Sequence, residues 1–457
     1  MKIISKMMVC VLGAGLMLNF ASCIHDAGKE PVMYEVSYVT EYGECPRSFL
    51  VEENTVLTAE QLPMMKKEDF FFAGWYDGEV KALSKKYKVT HNVKLTAKWK
   101  VPVELKTCDK INSLFEKVAG KLKNPKHFAK SKIKPENPAY FLDVAESEVP
   151  LWYDEESRIL YYYIEEGKAL GLRSKANFNG LFYGLYSIEY IDTSDFDTSK
   201  VTSMEGMFSN CSSLKKLNLS NFDTSSVSDM EYMFSICKSL TEVDLSNFDT
   251  SNVTSMSHMF RDCLSLEELD LSNFDTSNVT CMSSMFSNCG SLEELDVSSF
   301  DTSKVKSMDR MFSSCWALKE LDLSNFDTSN VTDMWGMFGA CHSMIDINLS
   351  SFNTGKVTSM PDMFSSCSSL KELDLSNFDT SNVTSIEGMF WYCESLTKII
   401  TSDKFVADKV ESLGNMFKNC NALKGGAGTV YNADHVDKEY ARIDGGPDKP
   451  GYFTAKE

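Results

Sequence analysis

One phrase returns every 26 residues between about Phe178 and Cys420, and that period constrains the fold more than any other feature of the chain. Its fullest copy runs Leu266-Glu267-Glu268-Leu269-Asp270-Leu271-Ser272-Asn273-Phe274-Asp275-Thr276-Ser277-Asn278-Val279, and on to Met285-Phe286-Ser287-Asn288-Cys289. Phenylalanine keeps the beat at 196, 222, 248, 274, 300, 326, 352 and 378, then slips by one to Phe405. Cysteine keeps it at 211, 237, 263, 289, 315, 341, 367 and 393, then at Cys420. A unit this short cannot bury its own apolar face, whereas copies stacked on one another share a continuous core. The sequence therefore predicts a β-rich solenoid of about ten turns, on the order of 50 Å long at strand spacing.

Each turn divides into an outward and a return path. Leu292-Glu293-Glu294-Leu295-Asp296-Val297 alternates as a strand, and its Leu-x-x-Leu-x-Leu spacing predicts parallel strands stacked into one continuous sheet. Phe300 is expected to point inward at the bend. Asp301-Thr302-Ser303 is turn chemistry, in which short polar side chains satisfy nearby backbone groups. Val305, Met308, Met311, Phe312 and Cys315 line the return path. One methionine column (204, 230, 256, 282, 308, 334, 360) ends in Ile386 and Leu413, and nine further methionines precede a repeated Phe. These columns assign most of the 24 methionines to the core. Leu160-Tyr161-Tyr162-Tyr163-Ile164 reads as an opening strand, and Phe178 to Phe182 begins a degenerate first turn, as expected where a stack must close against water.

Nine of the 14 cysteines sit on the repeat beat, with Leu185 in the same column one period before Cys211. Leucine can replace a small buried hydrophobe but not a disulfide partner or a metal ligand, so the column favours a ladder of buried free thiols. Disulfides between successive turns are the alternative, since strands about 4.8 Å apart approach bridging distance. Zinc sites call for clustered Cys-x-x-Cys pairs, and the chain has none.

The phrases Leu-Asp-Leu-Ser-Asn-Phe-Asp-Thr-Ser-Asn-Val-Thr and Met-Phe-x-x-Cys resemble the BspA-type leucine-rich-repeat surface proteins of Bacteroidetes, a type also abundant in mycoplasmas. The likeness covers roughly residues 150–455, including the close at Thr429-Val430-Tyr431 and Tyr440 to Thr454. It implies a surface protein that binds host or neighbouring-cell macromolecules, matrix proteins among them, and it brings no catalytic residues.

At the N-terminus, Lys2 and Lys6 precede an apolar run from Met7 to Ala21, the pattern of a secretory signal and too short for a resident spanning helix. Phe20-Ala21-Ser22-Cys23 resembles a bacterial lipobox, with Phe20 in place of the usual leucine. That resemblance implies acylation of Cys23, and several acyl chains hold a protein on a membrane. Farther on, Phe72-Ala73-Gly74-Trp75-Tyr76 with the closing Leu95-Thr96-Ala97-Lys98-Trp99 resembles the Listeria–Bacteroides repeat, a compact β-grasp-like surface module. Trp75 and Trp99 are expected to build its core. From 109 to 123 the apolar residues follow helical spacing, and Lys117, Lys121, Lys123, Lys126, Lys130, Lys132 and Lys134 make this stretch the basic part of an acidic chain.

A net charge of −19 argues against nucleic acid as a partner, because binding a polyanion needs a basic face. Two acidic columns repeat. One lies in the strand, where solvation is expected. The other lies at the bend (Asp249, Asp275, Asp301 and Asp327 among its members), where hydrogen bonds to turn amides are expected and calcium is the alternative. Asn252-Val253-Thr254 and its copies match a glycosylation sequon but read as turn residues. The six histidines form no spaced pair, and neither a Gly-x-Ser-x-Gly elbow nor a phosphate-cradling Gly loop appears. No enzyme and no cofactor is expected.

The informative residues break the repeat at its variable columns. Trp316, Trp335, His342, Trp391 and Tyr392 stand where other turns carry mainly Ser, Glu, Asp or Gly, and exposed aromatics are typical anchors of interfaces and sugar platforms. The chain thus divides into a signal peptide (1–22), a lipidated tether (23–32), the β-grasp-like module (33–100), a basic helical connector (101–149), an N-terminal cap with the degenerate repeat (150–196), the leucine-rich-repeat solenoid (197–424) and a C-terminal cap (425–457). The expected protein is exported and lipid-anchored at the outer membrane and cell surface. It binds an extracellular protein or glycan, as an adhesin or as the glycan-binding component of a nutrient-uptake system.

Overall fold

Ten phenylalanines, from Phe182 to Phe417, lie face over face through the length of the repeat. Their nine successive ring centroids are 5.4–6.0 Å apart with planes within 16° of parallel. The computed structural model describes residues 31–456 apart from 42–43, 59–60, 66–70, 83–85, 105–124, 137–139, 144–147, 167, 172–175 and 412–413. The signal peptide, Cys23, the helical stretch 109–123 and Leu413 lie outside the described residues.

The module is a mixed sheet of β1 (Met33–Val39), β2 (Phe49–Glu52), β3 (Phe71–Asp77), β4 (Val80–Lys81) and β5 (Val93–Glu104), ordered β2-β1-β5-β3-β4. β1 and β5 pair in parallel, and β3 runs antiparallel to β5. Trp75 is fully buried against Phe72 and Tyr38, as its core assignment requires.

The solenoid's N-terminal cap is a six-stranded sheet. It joins β6 (His127–Lys130), β7 (Tyr140–Asp143), β8 (Glu148–Asp154) and β9 (Ile159–Tyr162) to β12 (Tyr190–Asp192) and β14 (Lys216–Asn218) of the first turns, in the order β14-β12-β6-β9-β8-β7. β6 and β7 lie within the stretch read from sequence as a helical connector. They are strands because β6 supplies a parallel neighbour to both β9 and β12, and β7 pairs antiparallel with β8. The far end of β5 pairs in parallel with β10 (Lys168–Gly171), joining module to cap. Lys100 of β5 and Lys130 of β6 both pair with the buried Asp195, the second at 2.6 Å.

In the repeat itself, stacking is parallel, as the strand phrase predicts. β11 (Ala176–Asn177) pairs β13 (Val201–Ser203), β15 (Glu320–Asp322) pairs β16 (Asp346–Asn348), and β17 (Glu372–Leu375) pairs β18 (Lys398–Thr401). The expected continuous sheet is nevertheless broken, for 242–244, 268–270 and 294–296 form no strand. Those three turns present Glu242, Asp244, Glu268, Asp270, Glu294 and Asp296 on this path, and Asp244 pairs with Lys86 of the module at 2.9 Å. Where pairing resumes, Asn348 donates to Asp322 at 2.9 Å and Lys398 faces Glu372 at 3.9 Å. The more persistent ladder lies on the return path, through parallel bridges that link Ser203, Asp229, Ser255, Cys281, Ser307, Asp333, Ser359 and Ser385 in turn.

The interior follows the columns. The repeat phenylalanines, methionines and cysteines described are all at most 5% exposed. The column cysteines are free thiols, each hydrogen-bonded to a phenylalanine carbonyl, as in Cys289 Sγ to Phe260 O at 3.2 Å. At the far end β19 (Phe453–Ala455) pairs β18, while Tyr452 and Phe453 cover Phe417 edge-on. Asp444 fixes that cap by accepting the N–H groups of Ala427, Thr429 and Gly446.

Candidate recognition surface

The return path carries the residues singled out in sequence, and its backbone decides where they point. After each column methionine, alternate N–H groups bond forward to the next turn and back within their own. Tyr232, Phe234 and Ile236 donate to Ser257, Met259 and Arg261, while Met233, Ser235 and Cys237 donate to Met230, Tyr232 and Phe234. This pattern places the second and sixth residues after the methionine at positive φ in turn after turn. Tyr232, His258, Arg310 and Asp362 occupy the first of these positions at φ 53–57°, and Ile236, Ser314, Ala340 and Tyr392 the second at φ 59–62°. Such residues project outward on a well-paired backbone, so side chains there form a rigid surface array.

Four successive turns join their outward groups into one run. The Arg310 guanidinium lies 3.7 Å over the Trp335 ring. On the next turn stands Asp362, whose carboxyl burial pushes above the usual range. One turn further stands Gly388 at φ 61°, where a β-carbon would come within 2.3 Å of Asp362 Oδ1. Trp391 follows directly, its ring 5.1 Å from that of Tyr392. Trp335 and Trp391 are each 38% exposed and Tyr392 41%, so the three rings remain available to a partner.

Trp316 and His342 sit on a different column, one residue past the buried cysteines. Trp316 packs on Gly290, where a β-carbon would meet the indole at 2.7 Å, and is 45% exposed. The exposed His342 donates through Nδ1 to the Ser366 carbonyl at 2.8 Å. Thus the structure stacks Trp335 under Arg310 and sets Trp391 against Tyr392, with Asp362 and Gly388 on the turns between, and leaves Trp316 and His342 on their own column. Sequence reasoning missed Arg310, Asp362 and Gly388. The available signal was their own departure from the column shared with Tyr232 and His258.

The two acidic columns are tied into local turns. At the bend, Asp249, Asp275, Asp301 and Asp327 accept the N–H of Ser251, Ser277, Ser303 and Ser329 at 2.9–3.0 Å. The strand column does the same instead of being merely solvated, with Asp270 and Asp296 accepting from Ser272 and Ser298. Among the described residues no three carboxylates, thiols or imidazoles converge on a point that would hold a metal ion.

The family model described as "Mycoplasma protein of unknown function, DUF285" matches residues 176–269, 244–344 and 312–429, more than half of the chain. The chain belongs to the DUF285 family. The BspA-like leucine-rich-repeat reading holds at the level of DUF285, whose matched segments cover the turns that carry the candidate residues. Among solved structures, the DUF285 solenoid is similar to a leucine-rich-repeat protein of T. pallidum, at 20% identity over 52% of this chain and 91% of that one, with a TM-score of 0.25. It is also similar to a leucine-rich cell-surface protein of Faecalibacterium prausnitzii A2-165, at 17% identity over 65% and 86%, with a TM-score of 0.26. A third similarity is to the TLR13–ssRNA13 complex, at 18% identity over 56% and 42%, with a TM-score of 0.18. No curated protein matches the chain.

Proposed function

We propose that this DUF285 protein is a non-catalytic binding protein of the bacterial cell surface, held at the outer membrane through acylated Cys23, and that it adheres to macromolecules of a host or neighbouring cell. The observation that supports this reading is the contiguous run from Arg310 through Trp335 and Asp362 to Trp391 and Tyr392. It occurs in a solenoid whose other repeated apolar residues are consumed by the core. A core explains a buried ring; an exposed, pre-oriented one on a rigid ladder is suited to contact a partner.

The test replaces Trp316, Trp335 and Trp391 together by serine and measures binding to matrix-protein-coated surfaces, a glycan array and whole cells. Loss of binding with an unchanged circular dichroism spectrum is expected, and retained binding defeats the reading. Cys23→Ser is expected to release the protein from the membrane fraction, with loss of metabolic palmitate label.

A further inference from the structure

We infer that the cleft between the module and the solenoid binds a small monocarboxylic acid with an apolar body, whose carboxylate meets the ammonium of Lys81. The cleft is a cavity of about 210 Å³, larger than the ~150 Å³ that admits benzene. Its module wall is apolar, built from Leu62, Met64, Phe72, Trp75 and Ala82. The facing wall, around Ser220, Ser246 and Asn273 of the solenoid, is polar except for Phe248. Among the described lining residues Lys81 of β4 is the one cation.

The backbone puts Lys81 there. It lies opposite Tyr76 in the β3–β4 hairpin and folds back over Gly74, where a β-carbon would stand 2.6 Å from Lys81 Cε. Glycine in β3 thus leaves the lysine its path into the cleft. The ammonium carries three donors yet reaches one acceptor among the described residues, Ser220 Oγ at 3.4 Å. Lys100 and Lys130 already pair with the buried Asp195, and Lys81 is close enough to feel both Lys100 and Asp195, so three cations share one carboxylate. Burial, and after it Lys100, pull the Lys81 ammonium down to about 8, as befits a buried charge that lacks a counter-ion.

The other polar groups of the cleft have partners of their own. Asp244 is taken by Lys86 at 2.9 Å and by Ser246, and Asp249 by the N–H and hydroxyl of Ser251. The Asn247 amide donates to the Leu219 and Phe222 carbonyls. A bare inorganic anion would leave the apolar wall wet, and a neutral hydrocarbon would leave Lys81 unanswered. A primary amine would stand beside like charge. An acid whose body is about the size of a phenyl ring or a six-carbon chain answers both walls.

The experiment titrates the mature protein with phenylacetate, hexanoate, their neutral amides, phenethylamine and inorganic phosphate, by calorimetry and thermal shift. At least one of the two carboxylates is expected to bind with Kd between about 10 μM and 1 mM. Its amide should bind at least about tenfold more weakly, and the amine and phosphate not detectably. Lys81→Met replaces an unpaired charge by an apolar chain, so it should keep or raise the Tm and weaken carboxylate binding at least about tenfold. Trp335→Ser should leave that binding unchanged, so this site stands or falls apart from the recognition surface proposed above. Absence of binding by both carboxylates at about 10 mM overturns the assignment. So does an amide that binds as tightly as its acid, a comparison made on the unaltered protein and independent of how any variant folds. Carboxylate binding that survives Lys81→Met overturns it as well.

Discussion

The buried hydroxyl of Thr250 donates to the carbonyl of Asp275 at 2.9 Å and accepts the N–H of the same residue at 2.8 Å. The relation recurs at Thr198, Thr224, Thr276, Thr328 and Thr354, each clamping the bend residue of the following turn. Threonine here fastens one turn to the next, whereas its neighbours Asp and Ser fasten the bend to itself.

Thr250→Val keeps the shape and removes both bonds, leaving the part-buried N–H and C=O of Asp275 without that partner. The expected loss is about 2 kcal/mol or more, read as a lower urea midpoint together with faster hydrogen exchange at the Asp275 amide. Thr250→Ser should recover most of it. A valine variant as stable as the parent would remove the clamp from the account.

Ile236 occupies the left-handed position at φ 62°, where a β-branched side chain is strained. Asparagine fills the same column at 210, 288 and 419. Ile236→Asn relieves on the order of 1 kcal/mol, less the burial its half-covered side chain gives up, and a higher Tm is expected. A lower Tm would show that packing outweighs backbone strain there.

The column thiols are buried and held protonated. Burial pushes Cys211, Cys341 and Cys420 up to about 12 and holds the rest of the column well above the ordinary thiol value. Alkylation of the native protein is therefore expected to mark Cys45 and Cys281 among the described cysteines, the two that are not fully buried. Mass spectrometry should find the column cysteines labelled only in denaturant, with each appearing as its own turn opens. Native labelling at Cys289 would contradict the ladder.

Acid should loosen the bends. The Ser277, Ser303 and Ser381 side chains and N–H groups hold Asp275, Asp301 and Asp379 below their ordinary carboxyl values. The unfolded chain then binds more protons than the folded one, so this stabilisation is complete above the unfolded value of about 3.9 and is lost as pH falls through the lower folded values. Asp197, Glu231 and Asp362, which burial raises, act in the opposite direction, but the carboxylates held low outnumber them. Tm measured from pH 6 to pH 2 is expected to stay level to about pH 4 and then drop. A level or rising Tm across that range would refute the turn's role.

The periodic core was legible because stacking forces chemically like residues into one column, so Phe, Met and Cys announced their burial by recurrence alone. Other features were hidden for identifiable reasons. Left-handed positions were masked because non-glycine residues such as Tyr232, Arg310 and Ile236 occupy them more often than glycine does. β6 was read as connector because its pairing partners lie tens of residues away. Trp335 and Trp391 were visible as irregularities, but Arg310, Asp362 and Gly388 acquire meaning only when adjacent turns are superposed.

Because every interior turn meets its neighbours through the same Phe stack, thiol and threonine clamp, the turns are interchangeable parts. Removal or duplication of one whole 26-residue segment leaves both ends able to close on what remains. Unequal recombination between near-identical copies of this stretch would thus lengthen or shorten the rod without unfolding it. The length of the stack can then vary while the four turns bearing the Trp335–Trp391 run stay intact.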